Sequence, residues 1–221
     1  MAPIGTVAAG LRTRAPGLPK PDAKSLEVVL STINEYDAFA GGHPDRVATY
    51  AGELARLLGL SYSTVDLVKR AAFVHDIGKI FIPESIVEKP GALTTEEMEV
   101  VKMHPALGAR MLEQRPGMAD LAPIVLHHHE RWDGNGYPDG LAGSAIPVES
   151  RIIFVADAYD AMISKRPYGR VMSRREAGLE LARCAGKEFD PHVVRVMRFA
   201  INSGALDEVR KRPVSPLKRP A

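Results

Sequence analysis

The stretch RIIFVADAYDAMI, residues 151–163, decides the fold. Taken alone, the apolar run at 152–156 suits a buried strand as well as a buried helix, because periodicity does not separate the two over so short a window. The run continues through Ala158 to Ile163 without a glycine or proline. That continuity is longer than an ordinary strand of about 5–6 residues and predicts one buried helix.

The rest of the chain reads the same way. On the N-terminal side, Leu26, Val29, Leu30 and Ile33 recur at helical spacing and predict a helix over residues 22–39. Gly41 and Gly42 break it, and a second helix follows with His43 at its start, Pro44 in its first turn and Gly59 as its stop. Ser63 with Asp66 reads as a capping box that opens a helix carrying His75 and Asp76 near its C-terminal end, where Gly78 ends or distorts it. Thr94 with Glu97 opens a long helix with His104 in its middle and Pro105 as a kink point. A further helix ends in the run 127–130, and a loop rich in Gly, Asp and Pro spans 133–147. Ser173 with Glu176, and Asp190 with Pro191, open the last two helices. Hairpin signals and repeats are missing, so the expected fold is all-α, an irregular multi-helix bundle.

Composition bounds what such a bundle does. With 221 residues, 45% hydrophobic and 25% charged, the chain can bury one good core and is short for two. Cys184 is the lone cysteine, which excludes an intramolecular disulfide and any multi-thiolate metal site. No apolar stretch reaches the ~18 residues of a spanning helix and no secretory leader is evident, so a cytoplasmic protein is expected. The net charge of +2 hides an acidic body, since eight of the 29 basic residues lie at 1–21 and 210–221, where there are no acids. The expected organisation is a basic, Pro-containing tail at 1–24, one domain at 25–203 and a second basic tail at 204–221. Such tails read as solvated segments, and a nucleic-acid partner is not expected.

Chemistry is concentrated in the histidines. His75-Asp76 and His128-His129 are adjacent pairs, each at a helix end. Neighbours on a helix diverge by about 100°, so such pairs suit two ions better than one. Imidazole and carboxylate without thiolate suit Fe, Mn, Zn or Ni, and two ions about 3.5–4 Å apart can clamp the attacking and leaving oxygens of a phosphoryl transfer. A lone helical histidine such as His104 is more often a surface or satisfied core residue, and only context argues otherwise. His127 is set aside as a flanking residue and His192 as a surface histidine. Glu130 and Asp133 could orient ligand imidazoles or simply order the loop. Arg46 and Arg131 read as partners of body carboxylates.

HDIGK at 75–79, HHERWDGNGYP at 128–138 and VADAYDAM at 155–162 resemble the motifs of an HD-GYP domain, over about residues 25–200. That resemblance implies an all-helical member of the HD phosphohydrolase superfamily that hydrolyses cyclic di-GMP with two or three divalent ions, commonly Fe or Mn. It places metal ligands at His43, His75, Asp76, His104, His128, His129 and Asp157, with Asp76 bridging. Substrate contacts fall on Lys79, Tyr137, Asp160 and Arg166. Phe39 stands where members with a third ion carry a glutamate, so two ions are implied here. Gly169 replaces a basic residue found in many relatives, with Arg170 next.

The activity so implied is hydrolysis of cyclic di-GMP to linear pGpG, possible on to GMP, by a metal-bridging hydroxide, with His75 and Asp76 at the centre and Lys79 assisting the leaving oxygen. Metals, Lys79 and Arg166 would offset the repulsion between a phosphodiester and the acidic body. Two alternatives stand beside it: the same site acting on another cyclic dinucleotide or a nucleotide phosphate, and a metal-containing binding module with little turnover. The first 24 residues are too short for a sensory domain, which leaves control to a partner, through the GYP loop for example, or to expression. A homodimer is compatible with the sequence and not fixed by it.

Overall fold

The computed structural model describes residues 42–164 and 171–210. The expected helix at 22–39, Phe39, and the segment with Arg166 and Gly169 lie outside the described residues. Among the described residues the chain is helical, with no strand longer than the isolated bridges Asp133 to Ala142 and Ala185 to Phe189. The all-α expectation is borne out. No helix among these residues is long and apolar enough to cross a membrane.

Helix α1 (His43–Leu57) begins with Pro44 in its first turn, where a missing N–H costs nothing, and buries Val47, Tyr50, Ala51 and Leu54. A short connection turns the chain into α2 (Tyr62–Val74), which packs on α1. Its cap is Ser61, whose side chain accepts from Thr64 N at 3.2 Å, and not the expected Ser63. Both serines are competent caps, and the helix starts two residues earlier because Ser61 holds the extended backbone that a cap needs.

After Val74 the chain tightens into a 3-10 turn (Ile77–Phe81), followed by the short α3 (Glu84–Val87). Gly78 lets that turn press on the next main helix, since a Cβ there would stand 2.0 Å from His104 O and 2.7 Å from Gly108 N. The long helix expected around His104 is two helices, α4 (Thr95–Val101) with the Thr94/Glu97 capping box, and α5 (His104–Glu113). Pro105 acts as a first-turn residue of a new helix instead of a mid-helix kink, which puts His104 at a helix start.

Helix α6 (Ala122–Leu126) leads into the histidine run, and α7 (Val148–Ile163) follows the loop. The decisive segment is therefore one helix, with Ile152, Ile153, Val155 and Ala156 fully buried. Each large apolar side chain so buried contributes about 1.5–3 kcal/mol, enough to hold a helix that carries two aspartates. Tyr159 meets Tyr50 edge-on across the α1–α7 contact, with ring centres 5.3 Å apart.

Helices α8 (Arg174–Cys184), with the Ser173/Glu176 capping box, and α9 (Pro191–Ser203), capped by Asp190, match the expected starts. The chain continues in α10 (Ala205–Arg210), whose Leu206 is buried in the core, so the packed body extends past position 203.

Candidate metal centre

Three of the histidines sit where a helix ends, and the reason is local. The last carbonyls of a helix have no partner within it. Ala72 O, Val101 O and Val125 O, at the ends of α2, α4 and α6, accept from Nδ1 of His75, His104 and His128 at 2.7, 2.7 and 2.6 Å. A carbonyl only accepts, so each Nδ1 carries a hydrogen, and a ring with no second hydrogen presents a bare lone pair at Nε2. All three rings are buried.

Those lone pairs converge. Asp76, His104, His128 and His129 form one group with ligand atoms within 4.8 Å of one another, and His43, His75 and Asp157 form a second by the same measure. His104 Nε2 faces His128 Nε2 at 3.3 Å. With both hydrogens committed to carbonyls, two lone pairs point at each other, an arrangement that a cation between them relieves. Asp76 Oδ1 lies 3.2 Å from His104 Nε2, and Asp76 Oδ2 lies 3.5 Å from His75 Nε2. One carboxylate therefore faces a histidine of each group. His75 Nε2 and Asp76 Oδ1 are buried with no partner in hydrogen-bonding geometry, the 3.2 Å approach of His104 being an ion-pair distance without the required angles. Buried polar atoms left so cost about 1–3 kcal/mol each unless a ligand satisfies them. An all-nitrogen-and-oxygen donor set of this kind fits divalent first-row ions.

Electrostatics agree with that fit. Burial pushes the His128 imidazole well below its ordinary range, and His129, for the same reason, to about 3. Both are neutral donors at physiological pH. Burial alone would raise the Asp76 carboxyl, but opposing positive charge, that of the Lys79 ammonium first, holds it well below the usual carboxylate range. Lys79 Nζ donates to Asp76 Oδ2 at 2.6 Å, which brings the ammonium to the edge of the centre. Tyr137 stacks on His129, ring centres 5.0 Å apart, and burial raises its phenol so that it remains a hydroxyl.

The loop that carries Tyr137 is held from below. Glu130, buried, accepts from Asp139 N at 2.7 Å and Leu141 N at 3.1 Å. Gly136 passes so close that a Cβ would stand 2.3 Å from Arg131 N. Asp133 pairs with Arg131 and accepts from Asn135 N. Glu130 and Asp133 thus order the loop and do not touch a ligand imidazole. Burial raises the Glu130 carboxyl, more than the N–H donors lower it. A carboxyl raised on folding binds its proton more tightly in the native state, so this group's contribution falls as pH rises from the ordinary glutamate range through the raised value. Glu130→Gln is expected to abolish that slope in urea-unfolding midpoints between about pH 4 and 7. Glu130→Ala is expected to cost about 2 kcal/mol and to expose residues 133–142 to protease, because two backbone donors lose a charged acceptor.

Two further placements differ from expectation or follow it. Asp160, expected to contact substrate, is 1% exposed and turned away from the centre, accepting from His43 Nδ1 at 2.8 Å and from Arg46 Nε at 2.7 Å. Packing of α7 on α1 puts it against His43, whose ring it holds. His127 bonds Pro123 O and Asp139 and stays outside both groups, and His192 lies on the α9 surface beside Arg195, both as anticipated. Arg46 and Arg131 pair with body carboxylates as expected, Asp160 and Asp133; sequence reasoning missed that Asp160 also holds His43, although His43 and Arg46, like Asp157 and Asp160, are three apart and share a helix face.

A family model described as an HD domain matches residues 27–193. The chain belongs to the HD domain family. Among curated proteins, this HD domain chain is 42% identical over 175 residues to the cyclic di-GMP phosphodiesterase response regulator RpfG of Xanthomonas campestris, covering 78% of this chain and 46% of that one. It is 38% identical over 178 residues to the 3'3'-cGAMP-specific phosphodiesterase 2 of Vibrio cholerae, covering 78% of this chain and 34% of that protein. The chain thus spans less than half the length of these relatives. The solved structure of Bd1817, described as an HDG"Y"P protein from Bdellovibrio bacteriovorus, superimposes with a TM-score of 0.59 at 18% identity, covering 81% of this chain and 63% of that one. The likeness is one of fold, and it agrees with the HD-GYP resemblance carried by the sequence motifs.

Proposed function

We propose that this HD domain is a metal-dependent phosphodiesterase that hydrolyses cyclic di-GMP to linear pGpG. The observation that carries the reading is the convergence of two His/Asp groups on Asp76, with buried lone pairs aimed at common points. The name of the 42%-identical relative supports the substrate. The ligand set proposed is His43, His75 and Asp157 for one ion and His104, His128 and His129 for the other, with Asp76 shared. Iron or manganese suits these donors, and the protein is taken to act in the cytoplasm as a single domain from about residue 25 through α10.

Bound there, two divalent ions would neutralise the phosphodiester and make water a competent nucleophile near neutral pH. The chain's own residues supply the rest. The helix-end carbonyls hold the imidazoles in one tautomer and orientation. Lys79, at the Asp76 edge, offers an ammonium to a phosphate oxygen or to the departing 3' oxygen. Tyr137 offers a hydroxyl and a ring face at the loop that borders His129. Arg166 is proposed as a second phosphate contact on the grounds of motif position alone.

The test is turnover of cyclic di-GMP by protein purified anaerobically and loaded with Fe(II) or Mn(II), with product identified by chromatography. Linear pGpG is expected, and none from His75→Ala. Turnover that survives in that variant would sink the proposal. The cGAMP-specific name of the 38%-identical relative supports a second reading, in which 3'3'-cGAMP is the preferred substrate of the same site. Comparing kcat/KM for the two dinucleotides decides between them. Tight binding of both without product would favour a binding module instead.

A further inference from the structure

His43 is held unlike the other candidate ligands. His75, His104 and His128 each lean on a main-chain carbonyl, a neutral dipole fixed by its helix. His43 leans on a carboxylate: Nδ1 lies 2.8 Å from Asp160 Oδ2, and its Nε2 faces Asp157 Oδ1 at 3.4 Å. The carboxylate is itself gripped by a guanidinium fork, Arg46 Nε to Oδ1 at 2.7 Å and a terminal Arg46 nitrogen to Oδ2 at 3.0 Å, with Ser164 Oγ 3.3 Å from Oδ1. Burial would raise the Asp160 carboxyl, yet the bonds from His43 and Arg46 hold it at about 2, so the group is an anion at any working pH.

We propose that Asp160 and Arg46 form a positioning pair that sets the metal affinity of the His43–His75–Asp157 group alone. This rests on the two-ion reading of the centre. The fork fixes the plane of the carboxylate, and the carboxylate fixes the tautomer and pitch of the His43 ring. Its negative charge also makes Nε2 a stronger donor. Asp157 stands one turn before Asp160 on the same helix, and His43 one turn before Arg46 on α1, so two i, i+3 pairs lock the two helices at the ion's position. Among the described residues, Nδ1 of His75, His104 and His128 is each taken by a carbonyl and not by a carboxylate, so a change at Asp160 reaches one ion and leaves the other.

The test is titration of Mn(II) into the full chain, freed of metal, followed by calorimetry and by electron paramagnetic resonance. Wild type is expected to take two ions. Asp160→Asn should weaken one of them about 10- to 100-fold while the other stays within about twofold. At one equivalent of Mn(II), the spectrum should then be that of an isolated ion. Arg46→Gln should shift the same ion in the same direction, and Arg46→Lys should recover part of the loss, since lysine keeps the charge without the fork. If Asp160→Asn does not fold, judged by the melting temperature of the metal-free protein, the Arg46 pair of variants carries the test. Equal weakening of both ions, or no change in either, overturns the positioning role while leaving the two-ion reading intact. A wild type that binds only one ion overturns that reading, and this proposal with it.

Discussion

Asp76→Ala is expected to abolish hydrolysis by the metal-loaded protein, a loss on the order of 10^3-fold or more, while leaving the metal-free protein nearly as stable as wild type. The two halves of that expectation have different causes. Asp76 faces a histidine of each group, through Oδ1 toward His104 and Oδ2 toward His75. Its loss removes a donor from both ions at once, and with it much of the charge that draws two dications into one cavity. Without metal, the carboxylate is a burden as much as a support, buried with Oδ1 partnerless and Oδ2 held by a partly exposed lysine. Losing the pair with Lys79 and losing the orphaned oxygen largely cancel, to within about 2 kcal/mol.

The measurement follows from linkage. An ion present at about 1,000 times its Kd stabilises the native state by about 4 kcal/mol. Wild type should show a clear rise in melting temperature on adding Mn(II), and Asp76→Ala should show almost none from a similar starting point. An unchanged metal-induced rise in the variant would place the ions elsewhere.

Gly78→Ala should do the reverse, damaging the fold first and the metal site through it. The new Cβ would stand 2.0 Å from His104 O, 2.9 Å from His104 C and 2.7 Å from Gly108 N, all main-chain atoms that no rotamer change can move. Relief requires the 3-10 turn to retreat from α5 by more than about 1 Å, and Asp76, at the head of that turn, must retreat with it from His104. Overpacking usually costs about 1–3 kcal/mol, and a backbone clash this close belongs at or above the upper end. Both the denaturation midpoint and the Mn(II) affinity should fall. Gly108→Ala is the control. Its Cβ would meet Ile77 Cγ2 at 3.1 Å and Gly78 N at 3.2 Å, and the helix gains about 1 kcal/mol from alanine, so the net change should be small.

How much of this was legible in the sequence depends on the range of the physics involved. The helix over α7, the capping boxes at Thr94 and Ser173 and the proline starts at Pro44 and Pro191 are local, and residue order alone announces them. The pairing of His75 with Asp76 was equally plain. The break before His104 was not, because Lys102 and Met103 are good helix formers and only the approach of Gly78 shows why the chain re-aims there. The hold of Asp160 on His43 was hidden for a similar reason. A carboxylate on a helix face announces that it will meet something, and whether that is substrate or the back of His43 is settled by how α1 packs on α7. The cap was placed at Ser63 and lies at Ser61, two positions away, because residue order does not say which of two nearby serines takes up the extended backbone.

His43 and Asp160 stand 117 positions apart in sequence, and the histidines between them come from three helix ends on the way, those of α2, α4 and α6. Loop closure over such a span is entropically costly, and a centre assembled from its two ends and its middle forms only when the body has already condensed. An ion captured there therefore acts as a late clasp. Ligands from α1 and α7 would be tied together by it, so metal loading and the protein's resistance to unfolding should rise together.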